Sequence, residues 1–140
     1  MTCIAYVLPL HGDGDVAVAR RRVRELAEGS ALTTQAVEDF ATAVSALARN
    51  VIAHTRRGEI LLGTALEDDR VGLIAIAKDD GANTQLERSP RGAAPKVSPE
   101  LESARALADE VDVQSTPFEG TTVTLVKWAK AGRASTPLAK

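Results

Sequence analysis

Between Thr34 and His54 the chain carries Val37, Phe40, Ala41, Val44, Leu47, Ala48, Val51 and Ile52, one continuous apolar stripe at helical spacing. The stripe predicts a long amphipathic helix, and such a helix must bury its apolar face against a second layer. The neighbouring segments supply that layer. Residues 58 to 66 and 71 to 78, rich in Ile, Leu and Val and joined by the acidic turn Glu67-Asp68-Asp69, predict a hairpin. Residues 3 to 10 predict another strand, ending at Pro9 and the turn His11-Gly12-Asp13-Gly14. Asp15 can cap a first helix on which Val16, Ala19, Val23, Leu26 and Ala27 recur at helical spacing, closed by Gly29. Arg20, Arg21, Arg22 and Arg24 are mostly on its other side, where they read most simply as a solvated face, with a partner surface as the alternative.

Further along, Ser98 can cap a third helix with Pro99 at its first position and Glu100 near the positive end of its dipole. Leu101, Ala104, Leu107 and Ala108 give that helix an apolar face, and strands are expected near residues 111 to 115 and 121 to 128. The order β, α, α, β, β, α, β, β implies an α+β fold, a two-layer sandwich with a mixed, mainly antiparallel sheet and three helices on one face. Residues 80 to 97 have little periodicity and many turn formers, which marks a long loop, and 81 to 97 are expected to be the least ordered internal segment. Residues 1 to 128 read as one domain and 129 to 140 as a flexible tail.

A chain of 140 residues, 44% of them hydrophobic, suffices for one buried core. Its 17 basic and 19 acidic residues leave a formal charge of −2 with no block of like charge, which argues against nucleic acid and against an acidic membrane surface. Cys3 is the single cysteine, so no internal disulfide can form, and a lone thiol suits a reducing compartment. The start of the chain lacks a basic region and a long apolar run, so a cytoplasmic location is expected. His11 in a turn and His54 at a helix end have no partner set for a metal, and no structural metal is assigned.

Three stretches carry a resemblance. On the second helix, Thr42-Ala43-Val44-Ser45-Ala46-Leu47-Ala48-Arg49-Asn50 is similar to the pattern TAVSELARN; after the hairpin, Ala77-Lys78-Asp79-Asp80-Gly81-Ala82-Asn83 is similar to ARDQGPG. Near the C-terminus, Glu119-Gly120-Thr121-Thr122-Val123-Thr124-Leu125-Val126-Lys127-Trp128 is the most literal match, to GKGTTVTxxKW. In this order they resemble the RsbT/RsbW-type serine-protein kinase branch of the GHKL, or Bergerat-fold, ATPases, over about residues 3 to 128. The resemblance implies a histidine-kinase-like ATPase fold. It also implies that Asn50 helps hold a metal-bound triphosphate, that Asp79 accepts from an adenine amino group beside Gly81, and that Thr121 and Thr122 face the adenine pocket.

The departures from the pattern are as specific as the matches. Ala46 stands where the family has a Glu acting as base or orienting the attacking group, so no catalytic residue is assigned. Asn83 replaces the second glycine of its box, a position where asparagine tolerates positive φ better than most residues. In the lid, the family's glycine amides wrap the phosphates, whereas this chain has Lys96, Ser98 and Glu100. Side chains obstruct that close backbone approach, and Glu100 brings negative charge to a helix end that would otherwise attract a phosphate.

The resemblance therefore implies a regulatory partner-switching protein of the anti-sigma-factor class with lost or much weakened ATP binding and kinase activity. The alternative is an active serine-protein kinase that phosphorylates a STAS-domain antagonist using ATP and Mg²⁺. The partners implied are a STAS-domain antagonist, a sigma factor or a phosphatase regulatory domain, and a homodimer is left open.

Overall fold

The computed structural model describes residues 1–54, 58–79, 99–116 and 120–129. Its elements are β1 (Thr2–Leu10), α1 (Asp13–Ala27), α2 (Thr34–His54), β2 (Gly58–Glu67), β3 (Arg70–Asp79), α3 (Pro99–Leu107), β4 (Glu110–Thr116) and β5 (Gly120–Trp128). The five strands form one sheet in the order β1-β2-β3-β5-β4, and every pairing among them is antiparallel. The expected α+β sandwich is present, with strand bounds extended by a residue or two at most ends.

The hairpin β2–β3 turns through Asp68 and Asp69, with Asp68 at φ 53°, a left-handed conformation that aspartate tolerates because its short side chain can bond locally. Alternation then sorts the strand residues between two faces. On one face Leu10, Ile60, Leu62, Leu73, Ala75 and Leu125 join a single buried cluster with the helices. Phe40 is its largest fully buried side chain, at 1% exposure. α2 lies centrally in the helical layer, packed on α1 along one side and α3 along the other. Its first turn is capped by Thr33, whose Oγ1 accepts from the Ala36 amide at 3.0 Å.

α1 begins at Asp13, two residues before the expected cap. Asp15 acts from inside the first turn, its carboxylate accepting from the backbone amides of His11 at 2.7 Å and Gly12 at 3.3 Å. The helix ends before Gly29, whose φ of 77° is the left-handed geometry glycine allows.

The arginines of α1 are not simply solvated. Arg24 makes a bidentate pair with Glu38 of α2, both bonds 2.9 Å, and Arg20 donates to Ser45 at 2.9 Å. Ser45, 1% exposed, donates in turn to the Ala41 carbonyl at 2.9 Å, so its hydroxyl is satisfied inside the interface between α1 and α2. Arg22 lies 5.0 Å from the centroid of the Tyr6 ring and pairs with Glu25 at 2.7 Å. The helical layer is thus fixed laterally by polar contacts as well as by its apolar stripe.

The opposite sheet face holds a second, smaller cluster of Ala65, Ile74 and Val126, bordered by Ile4, Ile76 and Trp128. None of the described helices contributes to it. Trp128 packs here under Arg70, whose guanidinium lies 3.9 Å from the ring centroid, and its indole N–H donates to Glu110 at 2.6 Å.

Candidate functional site

The end of the sheet formed by Leu10, Gly58 and Asp79 brings together two of the residues singled out by the motifs, Asp79 and Thr121. Leu10 and Gly58 are registered across β1 and β2, and Gly58 and Asp79 across β2 and β3. Antiparallel pairing of β3 with β5 then brings the last residue of one strand beside the first residues of the other. Asp79 Oδ1 accepts from the Thr121 amide at 3.0 Å, a contact between residues 42 positions apart in the chain. A carboxylate held by a backbone N–H keeps its orientation, with its second oxygen directed by the same bond.

Asn50 lies near the C-terminal end of α2. The helix stops at His54, and β2 begins at Gly58, registered with Asp79 of β3. Asn50 is partly buried, one helical turn before the last residue of α2. Ala46 precedes it by one turn and is 7% exposed within the main apolar cluster. A methyl group therefore occupies the position at which the motif would present a carboxylate, and the surroundings of that position are apolar.

Thr121 and Thr122 do not share a face. Thr121 has the parity of Val123 and Leu125, which belong to the helix-side cluster, whereas Thr122 has the parity of Val126 and Trp128 on the outer side. The structure thus joins Thr121 to Asp79 and directs Thr122 away. Glu100 falls in the first turn of α3, and the C-terminal end of that helix is anchored where Lys127 Nζ donates to the Leu107 carbonyl at 3.1 Å. Gly81, Lys96 and Ser98 lie outside the described residues, as do the whole 81–97 segment and residues 130–140 of the expected tail.

Motif matching reads Asp79 and Thr121 separately; the β3–β5 register is what makes them one unit. The pairing of Arg20 with Ser45 and of Arg24 with Glu38, which holds α1 on the motif helix α2, escapes a motif reading because each pair spans two helices. The Arg24 guanidinium, by hydrogen bond first and charge second, holds the Glu38 carboxyl below its ordinary value. Arg22 does the same to Glu25, again chiefly through a hydrogen bond.

Mg²⁺ requires near-octahedral oxygen coordination and usually takes at least one protein carboxylate with substrate phosphates. Among the described residues no group of three or more His, Cys, Asp and Glu could hold a metal ion. Asn50 offers a neutral amide, with an alanine one turn away on the same helix. No helix among the described residues is long and apolar enough to cross a membrane.

No family model matches the chain. It is 26% identical over 120 residues to the serine/threonine-protein kinase RsbT of Bacillus subtilis (strain 168), covering 83% of this chain and 90% of that protein. Among solved structures it is similar to the histidine kinase domain of the Erythrobacter litoralis EL346 blue-light activated histidine kinase, with a TM-score of 0.48 and 12% identity. That similarity covers 81% of this chain, which spans 59% of the length of the solved chain. The motif resemblance and the similarity to RsbT over most of both chains agree: the chain is similar to RsbT and folds as an α+β sandwich.

Proposed function

We propose that this chain is a partner-switching regulator of the RsbT/RsbW-like kind that works by binding a protein, with phosphoryl transfer lost or much weakened. The similarity to RsbT supports the regulatory, kinase-like part of this reading. The observation that carries the second part is Ala46, at 7% exposure in the apolar cluster one turn before Asn50. Phosphoryl transfer relies on positioning and on charge neutralised at the phosphates, and a methyl group there supplies neither a base nor a ligand. Lys96, Ser98 and Glu100 in place of lid glycines point the same way.

The Asp79–Thr121 bond is the feature that favours retained adenine recognition. The damage is therefore concentrated on the phosphate side, and adenosine is expected to bind about as well as ATP. Isothermal titration with adenosine, ADP and ATP, each with and without Mg²⁺, tests this directly. Tight, Mg²⁺-dependent ATP binding with phosphate transfer to a STAS-domain protein would replace this reading by that of an active serine-protein kinase.

A further inference from the structure

In an antiparallel sheet each strand turns the backbone groups of successive residues alternately to its two sides, so one known bond fixes the direction of every residue in a ladder. The Ala129 amide donates to the Val71 carbonyl at 2.8 Å. Carried through the register, that bond turns Val123, Leu125 and Lys127 of β5 toward β3, and Thr122, Thr124 and Val126 toward β4. Glu110, Asp112 and Gln114 of β4 then face β5. The backbone N–H and C=O groups of Val111, Val113 and Ser115 point the other way, to an edge with which no described strand pairs.

A row of open backbone donors and acceptors invites a further strand, and native edges are usually blunted against it. β1, the opposite edge, is blunted twice. Its register shifts between Ile4 and Tyr6, and the bond from the Leu66 amide to the Met1 carbonyl, carried along β2, places Pro9 with its nitrogen on the open side, where it has no N–H to offer. β4 has neither device: Glu110–Thr116 holds no proline and keeps one register with β5 throughout. Its side chains define what strand would fit. Val111 and Val113 are partly buried against the main cluster on the helix side, whereas Glu110, Asp112 and Gln114 are exposed on the other. β4 carries two acids and no base, and Asp112 makes no ion pair with another described residue.

We propose that the open edge of β4 is a strand-addition site that takes an extended segment of a partner protein, in which a Lys or Arg stands between two apolar residues. Paired antiparallel to residues 111–113, the segment sets its apolar residues opposite Val111 and Val113, where they extend the helix-side cluster. Its base falls opposite Asp112, at the non-hydrogen-bonded position where cross-strand side chains lie closest. Main-chain bonds then give affinity and the alternating side chains give specificity. The acids of β4 do not suit nucleic acid or an anionic membrane, and a second copy's β4 supplies no matching charge. The proposal rests on the functional reading above only in that the chain binds a protein; it makes no use of the nucleotide site.

Amide hydrogen exchange of the full chain, followed residue by residue by nuclear magnetic resonance, provides the test with two capped synthetic peptides, Lys-Val-Lys-Val-Lys and Glu-Val-Glu-Val-Glu. The Lys peptide at saturation is expected to slow exchange at Val111 and Val113 at least tenfold and to leave Asp112, whose amide faces β5, unchanged. Methylating the two Val nitrogens of that peptide removes main-chain donors and keeps the charge, and is expected to weaken binding at least tenfold. Asp112→Lys, at an exposed position, is expected to weaken the Lys peptide at least tenfold and to admit the Glu peptide, with circular dichroism checking that the variant folds. The same protection is expected with and without ATP and Mg²⁺, so failure at this edge and failure of the nucleotide reading are told apart. A Lys peptide that does not protect Val111 and Val113, a methylated peptide that binds as tightly, or a charge preference unmoved by Asp112→Lys would overturn the proposal.

Discussion

Gly63 on β2 is a position where a single methyl group should be felt across two strands. A Cβ built there would land on the Cys3 carbonyl oxygen and sit 2.8 Å from Ile4 Cα and 2.9 Å from the Cys3 carbonyl carbon. Both groups are backbone of β1, just before the register shift between Ile4 and Tyr6, so no side-chain rotamer can relieve the overlap. Restoring even a 3.4 Å contact from 2.8 Å moves the edge strand by several tenths of an ångström, and clearing the carbonyl needs more. Overpacking of this kind costs about 1–3 kcal/mol, partly offset by about 0.4–1 kcal/mol from the stiffer unfolded chain. Gly14 in the first turn of α1 is the matched control, because its Cβ would meet nothing within 4 Å. There the same change should stabilise by about 0.5–1 kcal/mol. Urea unfolding with linear extrapolation, followed by circular dichroism, reads both effects as opposite shifts in midpoint at unchanged slope. A Gly63→Ala midpoint equal to or above wild type would refute the reasoning, since it would mean that β1 is not held against Gly63.

Phe40→Ala removes the largest fully buried side chain and is expected to cost about 3–5 kcal/mol, measured in the same urea titration. Glu25 and Glu38 have carboxyl pKa values held below 4.5, so the stability they contribute is present above that pH and is lost as pH falls through their lowered values. Thermal midpoints measured across that acid range should fall less steeply in Glu38→Gln than in wild type. Restoring glycine at 96, 98 and 100 should raise ATP affinity more than adenosine affinity, whereas Ala46→Glu should change turnover and leave adenosine binding alone. Equal gains for both ligands in a calorimetric titration would show that the lid does not discriminate phosphates.

The elements were legible where one period dominates. The stripe from Val37 to Ile52 gave α2 its full length, and the alternating apolar runs around Asp68 gave the hairpin within a residue or two. The start of α1 was hidden because Asp15 caps from within the helix, so its usual signal as a leading residue misplaces the boundary. Asp79 and Thr121 were each visible in a motif, but the hydrogen bond that joins them depends on strand order, which local pattern does not encode. Strand parity also separates Thr121 from Thr122, two residues the motif treats alike. The arginines of α1 looked solvated because their carboxylate and hydroxyl partners lie on α2, 14 and 25 positions away for Arg24 and Arg20. The second, outward apolar cluster was the least visible feature, since β3 alternates between two apolar sets and reads as continuously hydrophobic.

The anchoring of Asp79 in the sheet and of α3 on α2 has an entropic consequence for the connection between them, residues 80–98. Each end of that connection is held by contacts that do not include it: β3 by its neighbours in the sheet, and α3 by α2 and by Lys127. Chain-closure entropy grows only with the logarithm of length, so doubling such a connection costs about 0.6 kcal/mol. The closure entropy of the connection therefore constrains its length only weakly.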